Sequence, residues 1–287
     1  MNTNSNHELP ARLLAVAAIL FSLSVDVQAA DDTWSGNGAT ANWSDTGNWD
    51  AVPVNGDDTI FSGTTQLSSV NDITGLSLGW LWLNGSGYSI TGNPITLTGG
   101  ITNSFDGNTV GVNLTLGAPQ SFSSQSGTLV LGAGVGLAAT ITNNGNALTF
   151  TDAGDFLLQG AITGAGSLIM EGSGTLTITN RQPLTGGIFA NAGTITFSTK
   201  GNLNFGGAET PSLITINTNG TVLGDGTHAI GGGTSVFINR GIWELNDEDY
   251  KQNLTMWDGT IEPGPSPNTS GGELRVGSAG SSGGWTW

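Results

Sequence analysis

A spacing pattern constrains this chain more than any other feature. Gly174-Thr175-Leu176, Gly193-Thr194-Ile195, Gly220-Thr221-Val222 and Gly259-Thr260-Ile261 share one form, and Gly241-Ile242-Trp243 is a variant. The glycines step by 19, 27, 21 and 18 residues. Several follow polar turn residues, as in Asn191-Ala192, Thr218-Asn219, Asn239-Arg240 and Trp257-Asp258. A turn and a strand recurring at a step near 20 predict a β-solenoid, in which each coil stacks on the last and buries its aliphatic residues. The longer step is a coil with a larger surface loop. A propeller needs a period of about 40–50 residues, and none occurs.

Short alternations elsewhere agree. Ile95-Thr96-Leu97, Leu114-Thr115-Leu116, Leu176-Thr177-Ile178 and Ile195-Thr196-Phe197 are half-buried strands by their period of two. Gly, Asn and Asp between them supply turns. Stacked coils also account for the composition. Inward positions take aliphatics, outward ones Thr, Ser and Asn, and corners Gly and Asn. Few places remain for charge, and charged residues are only 10% of the 287. The 47 glycines lack a triplet period, which excludes a collagen helix. With 22 acidic against 6 basic residues and net charge −16, a nucleic-acid partner is excluded. The absence of Cys removes disulfides, thiolate metal sites and Cys nucleophiles.

Residues 13–25, LLAVAAILFSLSV, form an uncharged apolar run after Arg12, closed by Val27-Gln28-Ala29 with small residues at −3 and −1. This is the pattern of a signal peptide cut after Ala29, too short to be a membrane span. No later stretch approaches 18 apolar residues. The expected organisation is a signal peptide at 1–29, a Trp-rich capping segment at 30–62 and an all-β solenoid at 63–287.

Within the solenoid, residues 164–178 read GAGSLIMEGSGTLTI, followed by Leu184-Thr185-Gly186-Gly187-Ile188 and Asn191-Ala192-Gly193-Thr194-Ile195. The stretch 164–198 closely resembles the autotransporter-associated β-strand repeat, with Leu184 where that repeat usually has Tyr and Ile188 where it has Thr. Trp34, Trp43, Asn48-Trp49, Pro53, Asp57 and Phe61 resemble the Trp-rich opening of large bacterial surface proteins that carry this repeat. The resemblance implies a right-handed parallel β-helix, exported and displayed at the outer membrane of a Gram-negative-type bacterium. Such proteins usually end in an outer-membrane barrel or a sorting anchor. Neither is legible up to Trp287, so truncation is expected, with self-association through an open C-terminal end after Glu273-Leu274-Arg275-Val276.

The candidate ligand-binding residues are Trp34, Trp43, Trp49, Trp80 and Trp82, because exposed indoles stack on sugar rings. The competing reading for Trp34, Trp43 and Trp49 is a cap over the first coil. Trp80 and Trp82, at i and i+2, share one strand face. Parallel β-helices also host polysaccharide-active enzymes, which need paired carboxylates about 5–9.5 Å apart. The pairs to consider are Asp57/Asp58, Asp152/Asp155 and the cluster Asp247-Glu248-Asp249. Asp152, Asp155 and Asp225 flank glycines and read as turn residues. The acidic cluster reads as a solvated loop, with weak Ca²⁺ binding as the alternative. His228 sits in a turn, and Arg181, Lys200, Arg240, Lys251 and Arg275 are scattered. No catalytic residue, metal or cofactor is assigned. The expected function is a structural stalk of an exported surface protein, with adhesion as one use. A carbohydrate-binding module using exposed Trp is the alternative, and a polysaccharide-active enzyme the third reading. The expected partners are extracellular polysaccharide or other surface proteins.

Overall fold

The computed structural model describes residues 29–132, 139–180, 182–198, 213–225, 230, 234–246, 248–251, 254–265, 273–276 and 284–286. The chain is an all-β, parallel β-solenoid. Its described helical content is one 3₁₀ turn, Thr46–Asn48. From the second coil through the N-terminal half, each coil contributes to three sheets. One coil shows the order: 80–83 in the first sheet, Ser89–Gly92 in the second, then Ile95–Asn103, which serves the third and returns to the first. The third sheet is last seen at Ile162–Thr163 and the bridge between Gly164 and Leu184.

The hand-aligned repeat is the stacking register of the second sheet. Leu176 pairs with Ile195, Ile195 with Val222, Val222 with Trp243 and Trp243 with Ile261. The first four are buried, and Ile261 packs against the core from the edge. The glycine before each strand sits where the coils approach most closely. A Cβ on Gly241 would lie 2.6 Å from the Asn217 carbonyl oxygen, and one on Gly259 would lie 2.7 Å from that of Gly241. Any larger residue would push the coils apart. On the first sheet a second column runs through Leu81, Ile101, Phe122, Phe150, Met170, Ala190, Ile216 and Ile238, all fully buried. Each large apolar side chain removed from water contributes about 1.5–3 kcal/mol, the main cohesion between coils.

Outward and corner polar groups tie successive coils. Asp58 Oδ1 accepts from Trp80 N at 2.7 Å, Asp106 Oδ1 from Thr128 N at 2.9 Å and Asp155 Oδ1 from Thr175 N at 2.8 Å. At another corner Asn191, Asn217 and Asn239 form a ladder, each later amide donating to the one before at 2.6 and 2.9 Å. The acidic bias thus has a local cause, since carboxylates satisfy backbone N–H groups at the turns.

Two boundaries differ from expectation. Parallel pairing begins at Asp31–Trp34, which joins Asp58–Phe61 in register, so the first coil lies inside the segment assigned to the cap. At the other end, Glu248–Lys251 pairs parallel with Glu273–Val276, whose other edge is taken by antiparallel Gly284–Thr286. These three strands form a small sheet separate from the main stack.

Candidate functional site

Trp34, Trp43 and Trp49 are buried. Trp34 and Trp43 each meet Trp49 edge-on, at 5.0 and 5.5 Å between ring centroids, and all three rings surround Phe61. Asn48 holds the overlying loop: its Oδ1 accepts from Gly38 N at 2.8 Å, and its Nδ2 donates to the carbonyls of Thr40 and Asn42. Trp43 Nε1 donates to Ser69 Oγ at 3.2 Å. These indoles cover the end of the apolar column, and none offers a ring face to a ligand. Their burial corrects the expectation that Trp34, Trp43 and Trp49 bind a ligand and favours the competing reading as a cap.

Trp80 and Trp82 do face outward together on the first sheet. Trp82 is 43% exposed. The Trp80 ring lies over Gly99 and Gly100 of the next coil. A Cβ on Gly99 would sit 2.6 Å from Trp80 Nε1, and one on Gly100 would sit 2.9 Å from Cζ3. The Gly-Gly pair thus makes room for an indole lying across the coil. Beside it opens a cavity of about 340 Å³, lined by Trp80, Gly99, Pro119, Gln120, Ser121, Ala147 and Thr149. Gln120 is buried, its Nε2 bonds to the Leu97 carbonyl, and its Oε1 has no hydrogen-bond partner. The ring and the outward hydroxyl residues Ser121 and Thr149 form a platform of the kind that a sugar can occupy, whereas the Gln120 amide is turned inward.

The candidate carboxylate pairs serve the backbone. Asp152 holds a left-handed turn at φ 72° and accepts from Ser123 Oγ, whereas Asp155 caps the next coil. Asp57 accepts from Val54 N and Ala30 N, while Asp58 binds Trp80 N. Glu248 and Asp249 lie on a strand instead of the expected loop. Asp247, His228, Arg181 and Lys200 lie outside the described residues. Among the described residues, no three His, Cys, Asp or Glu side chains converge on a possible metal position.

Stacking creates two acidic pairs that no short motif announces. Glu244 stacks on Glu262 across the second sheet, and partial burial, helped by Glu262, raises its pKa. Asp32, only 2% exposed, lies beside Asp57, and its Oδ2 finds no donor. Burial, reinforced by Asp57 and then by Asp50 and Asp31, lifts the Asp32 carboxyl to about 6. With the Ala29–Ala30 peptide bond intact, this has a definite sign. The unfolded chain releases the proton near 3.8, the folded one near 6. This group's contribution to stability is therefore greatest below the lower value and falls as pH rises through the interval. Asp32→Asn should gain about 2 kcal/mol on its parent between pH 4 and 7, read as the difference of two melting series. A constant difference across that interval would contradict the assignment. Using the difference removes the opposite trend of Asp106, which the Thr128 and Gly107 amides hold below the usual range.

Comparison with protein-family models, with curated proteins and with solved structures finds no match to this chain. The class defined by the fold is therefore the parallel β-solenoid.

Proposed function

We propose that this chain is a rigid, acidic stalk of an exported bacterial surface protein, a passenger-type segment with adhesion as one use. The observation that carries this reading is the in-register stacking through the described strands from Asp31–Trp34 to Thr260–Pro263. Such a stack propagates length in one direction while its outward Thr, Ser and Asn side chains stay hydrated. The leader pattern at 1–29 and the repeat-like stretch at 164–198 support the exported setting. The test is expression of the full chain in a Gram-negative host. The expected result is an exported product without its leader, whose small-angle scattering is that of a rod. Retention of the uncut chain in the cytoplasm, or a spherical scattering profile, overturns the reading.

A second reading, carbohydrate binding, is favoured by the Trp80 cavity, where an outward indole lies beside Ser121 and Thr149. Extracellular polysaccharides should then change tryptophan fluorescence, Trp80→Ala should weaken binding at least tenfold, and Trp82→Ala should weaken it less. Equal binding by parent and Trp80→Ala would remove this site.

A further inference from the structure

Between Arg12 and Arg181 the chain contains no Lys, Arg or His. No side-chain cation from that long segment can therefore approach the acidic start of the solenoid, where Asp31, Asp32, Asp50, Asp57 and Asp58 fall within the first two coils. Most of these carboxylates have backbone donors. Asp50 Oδ1 accepts from Thr33 N at 2.6 Å, and Asp58 from Trp80 N. Asp31 is exposed, and Asp32 is the buried exception: its Oδ2 has no donor, and its carboxyl meets only that of Asp57. A carboxylate buried without a partner is costly, and the remedy is a nearby positive charge or a retained proton.

The atom placed to supply that charge is the nitrogen of Ala30. It donates to Asp57 Oδ1 at 3.2 Å, while the Ala30 carbonyl accepts from Asp58 N at 2.8 Å. Residue 30 is thereby clamped at the start of the first strand. It is also the residue that follows Val27-Gln28-Ala29, the cleavage pattern of the leader. In the uncut chain this nitrogen is a neutral amide. Hydrolysis of the Ala29–Ala30 bond by a signal-type peptidase consumes one water, leaves a carboxylate on Ala29 and frees an α-amine on Ala30 that is protonated at neutral pH.

We propose that the first coil contains a built acceptor site for the processed N-terminus, in which the Ala30 α-ammonium pairs with Asp57 and compensates the Asp32–Asp57 carboxyl pair. Leader removal then adds the missing cation at the point where the acidic coil needs it. The processed solenoid is more stable at its N-terminal end than any form in which position 30 remains an amide. The groups facing this site are Asp57 and Asp32, with Asp31 and Asp50 acting on Asp32. The proposal rests on the exported reading given above.

The test separates the two. The full chain is expressed with its leader in a Gram-negative host, and the first residue of the exported product is read by N-terminal sequencing and intact mass. A second version carries two glycines inserted between Ala29 and Ala30, which moves the new ammonium about 7 Å along the chain. Both versions are also made with Asp57→Asn, and again with Asp32→Asn in case the first change disturbs the Val54 turn. The expected product begins at Ala30. Near pH 7 the insertion should lower the melting temperature by several degrees in the parent and by less than one degree with Asp57→Asn. In the parent the insertion effect should fade above about pH 9, where the amine loses its charge. A product cut after Ala29 whose melting ignores the insertion overturns the ion pair. An equal loss in the parent and both carboxamide backgrounds does the same, because it assigns the effect to added chain instead of charge. Cutting at another bond overturns the role of Ala30, and retention of the uncut chain overturns the exported reading together with the proposal.

Discussion

Leu176→Asp is expected to lower stability by about 4 kcal/mol or more, enough to unfold the coils around it. Leu176 is fully buried, between Phe156 in the coil before and Ile195 in the coil after. A carboxylate there meets apolar neighbours above and below and replaces aliphatic contact with a buried charge. Thr177, the next residue on the same strand, points outward between Leu157 and Thr196. Thr177→Asp should therefore cost only about 0.5 kcal/mol. Chemical denaturation of the two variants measures the contrast. Because each coil touches only its neighbours, hydrogen exchange in Leu176→Asp should increase first in the coils on either side of residue 176. Similar stability of the two variants would refute the inward placement.

The second large effect is expected from a single methyl group. Gly166 is buried, and a Cβ there would overlap the carbonyl of Asn146 in the preceding coil and approach its nitrogen to 2.8 Å. Asn143 pins the same glycine from both sides, accepting from its N–H at 3.0 Å and donating to its carbonyl at 2.9 Å. Gly166→Ala cannot relax without separating the coils or breaking these bonds, and should cost about 3 kcal/mol. Gly75→Ala is the control. Its backbone is left-handed at φ 71°, and no atom lies within 4 Å of the added Cβ. Its cost should be the backbone strain alone, about 1 kcal/mol. Equal losses at the two positions would show that coil contact is not what selects glycine at 166.

The alternating strands and the Gly-Thr-aliphatic units were legible in the sequence because a stacked solenoid writes its register into the spacing. The steps between Gly193, Gly220, Gly241 and Gly259 are the offsets between paired strands. Side-chain period two then decides which residues enter the column. The candidate site was less legible. Trp34, Trp43 and Trp80 are the same residue type in similar polar, Gly-rich surroundings, and only the closing of the first coil buries the first two. The Trp80 cavity depends on Gly99, Gln120 and Thr149, which come from successive coils and share no motif.

By itself, the sequence determined an all-β solenoid, its stacking step and the inward positions of its second sheet, because local periodicity and close coil approach act on neighbouring residues and on a fixed repeat. Tertiary structure alone decided where the first coil starts, where the third sheet stops and which carboxylates meet. Asp32 and Asp57 are 25 residues apart in sequence, yet the pairing of Asp31–Trp34 with Asp58–Phe61 brings them together. The loop joining those strands has no repeat, so only the folded register fixes that meeting. Burial then turns two ordinary aspartates into an acidic pair in which Asp32 holds its proton to a higher pH, a property that follows from desolvation and not from residue type.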